Sequence, residues 1–144
     1  MKIIFVCTGN TCRTPLAESS AQHYMPNVES ESRGIFAMDG APVSAHSLDI
    51  LKSKGYPEPR SAQSLGNGVK EGDLILTMTR EHQQIIQSMD PEAHHVFTLN
   101  EYVGLDGDIA DPIGGSKATY EETFEQIDHA VRLLSKKLRN KLSS

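Results

Sequence analysis

The stretch VCTGNTCRTP, residues 6–15, joins an apolar run to a segment with helical periodicity. The run before it, Ile3 to Cys7, is rich in β-branched and aromatic side chains and predicts a buried strand. The segment after it, Thr14 to Met25, carries apolar side chains at helical spacing and predicts a helix. A strand, a short loop and a helix in this order are typical of the first unit of a parallel α/β fold.

The same alternation continues along the chain. Further strands are predicted at Val28 to Ser32, Asp73 to Met78 and His94 to Leu99. Further helices are predicted at Ser44 to Lys54, Thr79 to Met89 and Lys117 to Leu142. Because each parallel crossover needs a helix to cover the sheet, the pattern predicts a single α/β domain, residues 1–144, with a parallel sheet and helices on both faces.

Two stretches rich in turn-forming residues, Gly55 to Gly72 and Gly104 to Gly115, interrupt this alternation and are predicted to be surface loops. Loops at the carboxyl ends of parallel strands are where such folds bind ligands. We therefore look for functional residues in these loops and in the first loop.

The composition narrows the class of protein. A chain of 144 residues, 38% hydrophobic and 23% charged, can bury one core without disulfides or metals and is typical of soluble proteins. No apolar run approaches the roughly 18 to 20 residues that span a bilayer, and the N-terminal run is too short for a signal peptide, so we expect a cytoplasmic protein without membrane contact. A net charge of −5 argues against nucleic acid as a partner.

The first loop has the residues of an anion-binding site. Backbone N–H groups at a helix start lack partners and the helix dipole adds partial positive charge, so a phosphate or thiolate is stabilised there. The Arg13 guanidinium can hold two phosphate oxygens as a fork. The same donors favour the thiolate form of Cys7, the nucleophilic form of a cysteine. We therefore expect Cys7 and Arg13 to be catalytic.

The other loop residues complete a phosphate cradle. Thr14 can donate its hydroxyl to the Cys7 sulfur and stabilise it as a leaving group. Gly9 allows the backbone to approach the ligand, and Asn10 tolerates a left-handed conformation. The predicted phosphate-binding residues are Thr8, Gly9, Asn10, Thr11, Cys12 and Thr14.

The second cysteine has two interpretations. Cys12 lies close to a reactive thiol, so peroxide can drive a reversible disulfide between Cys7 and Cys12 that protects the nucleophile. The alternative is that Cys12 is a buried apolar residue.

Residues 7–15 resemble the phosphate-binding loop of the low-molecular-weight protein tyrosine phosphatases. The resemblance covers essentially the whole chain, because residues 16–18 are similar to the family's helix start, residues 73–78 to its third strand and residues 109–112 to its acid loop. It implies a four-stranded parallel sheet, a phosphocysteine mechanism and phosphorylated protein substrates. That mechanism requires neither a cofactor nor a metal, and we expect a monomer.

Thiolate attack on a phosphoryl group requires an acid that protonates the leaving group. Asp111 is the candidate, because the resemblance matches it as Asp-Pro and Pro112 favours an extended backbone that helps hold the carboxyl group. Asp106 and Asp108 have the same chemistry, and only the Asp-Pro match distinguishes Asp111. The same carboxylate would then activate water to hydrolyse the phosphocysteine.

Supporting residues follow from the resemblance. Ser32 matches a family serine that hydrogen-bonds beneath the loop, and His46 resembles a helix histidine that acts as a structural support. Arg33 departs from the family's usual Ser-Ala-Gly, and residues 59–61, Pro-Arg-Ser, stand where a family histidine precedes the third strand.

Other histidines lack metal-ligand spacing and are expected to be surface or packing residues, including His82, His94 and His95.

The substrate is predicted from two positions. Tyrosine phosphatases of this class usually have a bulky aliphatic residue before the second cysteine and aromatic residues after Asp-Pro; this chain has Thr11 and residues 113–115, Ile-Gly-Gly. The threonine resembles the bacterial protein-arginine phosphatase branch, and a polar wall favours a nitrogen-rich group over a phenyl ring. Phosphoarginine is therefore expected, with phosphotyrosine as the alternative.

Two other functions remain open. An arsenate reductase uses a related fold and loop but needs further cysteines downstream, and none follows Cys12. A non-catalytic phosphopeptide binder would not need Cys7 or Asp111, and both are present.

Overall fold

Four strands and six helices alternate along residues 1–143, the part of the chain that the computed structural model describes, with side chains described to residue 140. The strands are β1 (Lys2–Cys7), β2 (Glu29–Gly34), β3 (Leu74–Thr77) and β4 (Val96–Thr98). The helices are α1 (Arg13–Tyr24), α2 (Ala45–Lys54), α3 (Gly68–Glu71), α4 (Arg80–Met89), α5 (Leu99–Tyr102) and α6 (Lys117–Ser143). The single α/β domain predicted from the alternation is confirmed, although Ser144 lies outside the described residues.

The four strands form one parallel sheet in the order β2-β1-β3-β4. β1 is central: Cys7 is in register with Gly34 of β2, and Val6 with Thr77 of β3. All four carboxyl ends therefore lie at the same edge of the sheet. The chain passes from β1 to β2 on one side and then to β3 on the other, so the strand order reverses beside β1.

Helices cover both faces of the sheet, as predicted. Alternate side chains of β1 point to opposite faces: Ile3 and Phe5 pack with α1, α2, α5 and α6, whereas Ile4 and Val6 pack with α3 and α4. The first face carries the larger core. None of the helices within residues 1–143 combines the length and the apolar character needed to cross a bilayer.

Some predicted boundaries are wrong, and the errors fall mainly at the edges of the sheet. β2 was expected at Val28 to Ser32 but runs two residues further, to Gly34. It is an edge strand rich in serine and charged residues, which have little β-propensity of their own. The opposite edge strand, β4, is predicted at His94 to Leu99 but spans Val96–Thr98. It ends there because Leu99 begins α5. The predicted loop Gly55 to Gly72 contains the short helix α3.

An ion-pair network ties the β2 edge to its neighbours. The Glu31 carboxylate lies 3.0 Å from Lys2 Nζ on β1 and 3.2 Å from Arg60 Nη2 in the loop before α3, and it also accepts a hydrogen bond from Arg33. Partial burial alone would raise the pKa of Glu31, but the hydrogen bonds from Lys2, Arg60 and Arg33 outweigh it and lower this pKa to about 2. The ionised carboxylate therefore stabilises the folded state.

The end of β2 approaches the first loop closely at Gly34. A Cβ atom there would lie 2.6 Å from the Thr8 carbonyl oxygen and 2.9 Å from the Gly9 carbonyl carbon. Both contacts are with backbone, which cannot rotate away. A glycine at this position therefore allows the loop to lie against β2.

We expect Glu31→Gln to lower the free energy of unfolding at pH 7 by about 1 to 2 kcal/mol, because it removes the partly buried anion that Lys2, Arg33 and Arg60 share. The pKa of Glu31 is lower in the folded state than its usual 4.5, so its contribution is complete above pH 4.5 and is lost towards pH 2. Denaturant unfolding at several pH values should show the difference between parent and variant shrinking over this window. Glu29→Gln, at an exposed carboxylate of the same strand, is the control, and an equal effect of both variants would contradict the assignment.

We expect Gly34→Ala to reduce activity strongly as well as thermal stability, because the added methyl group displaces the loop backbone. Gly66→Ala is the matched control: its φ of 49° makes an alanine strained, but a Cβ there meets nothing within 4 Å. It should cost about 1 kcal/mol in stability and leave kcat/KM unchanged. Circular dichroism melting and kinetics of both variants test this, and a Gly34→Ala variant with full activity would show that the close approach is unimportant.

Candidate active site

The first loop lies at the carboxyl edge of the sheet, between the end of β1 at Cys7 and the start of α1 at Arg13. This is the position beside β1 where the strand order reverses, the usual ligand site of such folds. The loop turns sharply at Asn10, which has a φ of 57° and is the one residue other than glycine with a positive φ within residues 1–143. The first turn of α1 contains no acidic side chain to compete for its N–H groups.

The sulfur of Cys7 lies at the floor of this loop. The residue is 3% exposed, and its Sγ accepts a hydrogen bond from the Asn10 backbone N–H at 3.3 Å. The hydroxyl oxygen of Thr14 lies 3.1 Å from the same sulfur. An N–H donor and a hydroxyl group beside the sulfur are contacts that a cysteine nucleophile uses in attack and departure.

Arg13 and Asp111 meet above this floor. Arg13 is 5% exposed, its Nη1 donates to the Ile109 carbonyl oxygen at 2.8 Å, and its Nη2 lies 3.7 Å from Asp111 Oδ2. The backbone N–H of Ile113 donates to the other Asp111 oxygen at 3.1 Å, which orients the carboxyl group. The long loop between α5 and α6 therefore brings its Asp-Pro carboxyl group to the first loop.

Asp106 and Asp108, the other acids of that loop, are placed differently. Asp108 Oδ1 accepts a hydrogen bond from the Arg80 backbone N–H at 2.9 Å, at the start of α4, whereas the backbone oxygen of Asp106 accepts from Asn100. Asp111 is the one of the three that lines the cavity above Cys7.

The cavity itself has a volume of about 140 Å³. Its lining consists of Cys7, Thr8, Gly9, Asn10, Thr11, Cys12, Arg13, Asp111 and Ile113. None of these lining residues is aromatic, and Ile113 is 70% exposed at the rim. A tetrahedral anion in this cavity would lie between the Cys7 sulfur, the Arg13 guanidinium and the Asp111 carboxyl group.

A chain of side chains supports the loop from beneath. The Asn10 side-chain amide donates to Ser32 Oγ at 3.2 Å, and the Ser32 hydroxyl donates to Glu18 Oε1 at 2.9 Å. Glu18 is completely buried, and its second oxygen accepts from the Arg60 backbone N–H at 3.1 Å. Ser32 thus lies beneath the loop as the resemblance implies, while Arg60 supplies contacts from the segment where the family histidine is missing.

A second support comes from α2 and α6. The Ser44 N–H donates to the Thr11 carbonyl at 2.8 Å, and the Ser47 hydroxyl donates to the Cys12 carbonyl at 3.3 Å. The Tyr120 hydroxyl lies 3.5 Å from Cys12 Sγ; this hydrogen bond, followed by burial, raises the pKa of Tyr120. His46 contacts the ring of Tyr120 at 4.9 Å between centroids and so supports the loop through that tyrosine.

The prediction that the other histidines are surface or packing residues is correct for His94 and His95 and incomplete for His82. His94 is exposed, and His95 lies 2.6 Å from the Val69 carbonyl oxygen, far from the loop. His82 is buried, and its Nε2 lies 2.9 Å from Thr8 Oγ1. Burial, followed by the charge of Arg13, lowers the pKa of His82. It is therefore a contact of the loop rather than a surface residue.

Sequence reasoning missed Glu18, Arg60, Tyr120 and His82 as parts of this site. The helix-start match contained Glu18, and the departure from the family pattern drew attention to Arg60, but no local pattern identified Tyr120 or His82.

No three histidine, cysteine or acidic side chains converge to form a metal site among the residues that the structure describes. The residues that do converge offer a thiol, a guanidinium, a carboxyl group and the inward N–H group of Asn10, the chemical groups needed for phosphoryl transfer through cysteine.

Comparison with known proteins agrees with a site for phosphoryl transfer. The family model described as "Low molecular weight phosphotyrosine protein phosphatase" matches residues 2–144. The low molecular weight protein-tyrosine-phosphatase PtpB of Staphylococcus epidermidis is 49% identical over 127 residues, which are 88% of this chain and 91% of that protein. PtpB of Staphylococcus aureus is 45% identical over the same shares of the two chains.

Solved structures have the same fold. The YwlE arginine phosphatase from Geobacillus stearothermophilus matches with a TM-score of 0.92 and 37% identity over 97% of this chain and 94% of that chain. A YwlE arginine phosphatase mutant with a phosphorylated active-site serine matches with a TM-score of 0.92 and 38% identity over 96% of both chains. Vibrio vulnificus Wzb in complex with benzylphosphonate matches with a TM-score of 0.88 and 31% identity over 94% of this chain and 97% of that chain. The chain is therefore a phosphatase that belongs to the low molecular weight phosphotyrosine protein phosphatase family.

Proposed function

We propose that this chain is a protein-arginine phosphatase that hydrolyses phosphoarginine in proteins through a phosphocysteine intermediate. The observation that carries the proposal is the cavity lining: it includes Thr11, whose side chain bears a hydroxyl group, and none of its residues is aromatic. A phenyl ring gains most of its binding energy from apolar and aromatic surfaces, whereas a guanidinium needs polar partners.

The proposed reaction has two steps. The Cys7 thiolate attacks phosphorus, the P–N bond breaks, and Asp111 gives its proton to the leaving guanidine nitrogen. The Asp111 carboxylate then takes a proton from water, whose oxygen attacks the phosphocysteine and releases phosphate and the Cys7 thiolate. Arg13 and the loop N–H groups bind the phosphoryl oxygens through both steps, and Thr14 stabilises the departing sulfur.

The charges around the cavity support the guanidinium substrate. Asp111 is 42% exposed on its side chain and already lies near one guanidinium, that of Arg13. After it gives its proton to the leaving nitrogen, its carboxylate faces the guanidinium that has formed, so that it acts first as acid and then as ion-pair partner. Thr11 places a hydroxyl where tyrosine phosphatases of this class carry an aliphatic side chain, which gives a donor-rich group a partner.

The relatives support both substrates. The Staphylococcus relatives are named as tyrosine phosphatases, whereas the YwlE structures are titled as arginine phosphatases. Phosphotyrosine, hydrolysed by the same mechanism, is therefore the alternative. Arsenate reduction is disfavoured, because the sequence has no cysteine after Cys12.

The remaining expectations belong to the same proposal. We expect a cytoplasmic monomer that acts on phosphorylated proteins and binds neither nucleic acid nor membranes.

Cys7 and Cys12 are free and buried in this structure. We also propose that mild peroxide joins them in a reversible disulfide, which mass spectrometry would detect; irreversible oxidation of Cys7 without such a bond would contradict it.

We expect Thr11→Val to shift the ratio of kcat/KM for phosphoarginine over phosphotyrosine peptides towards tyrosine by about tenfold, the lower part of the range for removing a buried hydroxyl partner. Thr11→Ile should shift it at least as far, because it adds apolar surface. Thr11→Ser, which keeps the hydroxyl, is the matched control and should retain the preference. A parent enzyme that prefers phosphotyrosine would overturn the arginine assignment and leave the phosphatase assignment intact.

We expect Cys7→Ser to abolish turnover while inorganic phosphate still binds, because the cradle remains but the nucleophile is lost. Asp111→Asn should lower kcat by about 10²- to 10⁴-fold, the usual contribution of a general acid. Asp106→Asn and Asp108→Asn are the controls and should keep the parent kcat. If either control variant lost as much activity as Asp111→Asn, the assignment of the acid would be wrong.

A further inference from the structure

His82 reaches the active-site loop from a neighbouring element. It lies in the first turn of α4, where its backbone N–H donates to Thr79 Oγ1 at 3.1 Å and fixes the helix start. β3, the strand before α4, pairs with β1, so the start of α4 lies beside the loop that follows β1. The His82 side chain spans this distance and ends 2.9 Å from the hydroxyl oxygen of Thr8.

The two nitrogens of this ring have different surroundings. Nε2 has Thr8 as its partner, whereas Nδ1 is buried and has no hydrogen-bond partner among the described residues. With hydrogen on Nδ1, a buried N–H donor would remain unpaired, at the full cost of its desolvation. With hydrogen on Nε2, that N–H is paired with Thr8 and only the lone pair of Nδ1 has no partner. The second tautomer is therefore favoured.

Burial, with the help of one nearby positive charge, keeps the ring neutral. Burial, followed by the positive charge of Arg13, lowers the pKa of His82, and these effects outweigh Glu81, Asp108 and Asp111, which act in the opposite direction. The ring then carries a single hydrogen, and Nε2 donates it to Thr8 Oγ1.

We propose that His82 is a positioning residue that donates to the Thr8 hydroxyl oxygen and so leaves the hydroxyl hydrogen of Thr8 free to bind a phosphoryl oxygen of the substrate. A threonine oxygen that accepts from Nε2 still has its own hydrogen to donate. Thr8 lines the cavity above Cys7 and is exposed, so its hydroxyl hydrogen is free to turn towards an anion bound there. This inference rests on the proposed function only in placing the phosphoryl group in that cavity.

The tautomer is the first test. Long-range ¹H–¹⁵N correlation spectra of the parent protein should assign the His82 hydrogen to Nε2, and the resonance should shift when inorganic phosphate is added. A hydrogen on Nδ1 would overturn the proposal, because Thr8 would then donate to the ring.

The second test is the dissociation constant of inorganic phosphate, measured by NMR titration at one pH. Thr8→Val and His82→Phe should each weaken binding by about tenfold, as expected for a lost hydrogen bond to a charged group. The double variant should be no weaker than either single variant, because both remove the same interaction. Additive effects, or unchanged phosphate binding in Thr8→Val, would overturn the proposal.

Conservative variants separate positioning from folding. Thr8→Ser keeps the hydroxyl and His82→Gln can place an amide N–H near the position of Nε2, so both should restore phosphate binding to within about threefold. If the role of His82 were only structural, His82→Gln and His82→Phe would change melting temperature together and leave phosphate binding alike. Should His82→Phe fail to fold, Thr8→Val and the tautomer decide the question, since Thr8 is exposed.

His95→Phe is the matched control. His95 also places Nε2 against an oxygen, the Val69 carbonyl at 2.6 Å, but far from the cavity. This variant should leave phosphate binding unchanged even where it lowers stability. Because inorganic phosphate carries neither arginine nor tyrosine, a failure of the arginine assignment would show in the peptide kinetics, whereas a failure here would show in phosphate binding.

Discussion

The buried sulfur of Cys7 is the constraint on which the rest of the structure depends. In the proposed reaction this sulfur stays reactive on the floor of a loop whose N–H groups, among them that of Asn10, point inward to bind it and the phosphoryl group. N–H groups that point inward cannot also pair with a neighbouring strand, so the loop lacks the regular bonds that hold the rest of the chain. Its shape must therefore come from side chains and backbone groups of other elements.

The supports of the loop come from different parts of the fold and act on different residues. Asn10, in its left-handed conformation, is held by Ser32 of β2, and through Ser32 by Glu18 of α1. The carbonyl groups of Thr11 and Cys12 accept from the start of α2 and the turn before it. Distributed support of this kind keeps a strained loop in one conformation before the substrate arrives, which lowers the cost of reorganisation during the reaction.

Local patterns predicted the elements better than the contacts between them. The β1 run and the long periodicity of α6 identify their elements because each has a buried face with a regular period. The short helix α5 was missed although Thr98 and Glu101 form a capping box, a pattern that the sequence displays. Cys7, Arg13 and Asp111 could be named because their chemistry is recognisable in a motif. His82 and Tyr120 could not, since they reach the loop across 74 and 108 residues of chain and lie in ordinary helical sequence.

The comparisons explain why fold and substrate are separate questions. Relatives named for tyrosine and relatives named for arginine match this chain over most of its length, so the sheet and the backbone of the loop carry no information about the leaving group. That information must lie in the few side chains that line the cavity beyond the phosphoryl group, which in the proposed complex are Thr11, Asp111 and Ile113. A side-chain hydroxyl in place of a methyl group adds little binding energy when water can take the place of the substrate as its hydrogen-bond partner. It adds much more when the hydroxyl and its partner on the substrate are both buried. Thr11 is half-buried beside the cavity, so its hydroxyl is partly shielded from water and can discriminate between a guanidinium and a phenyl ring more strongly than a hydroxyl at the exposed rim.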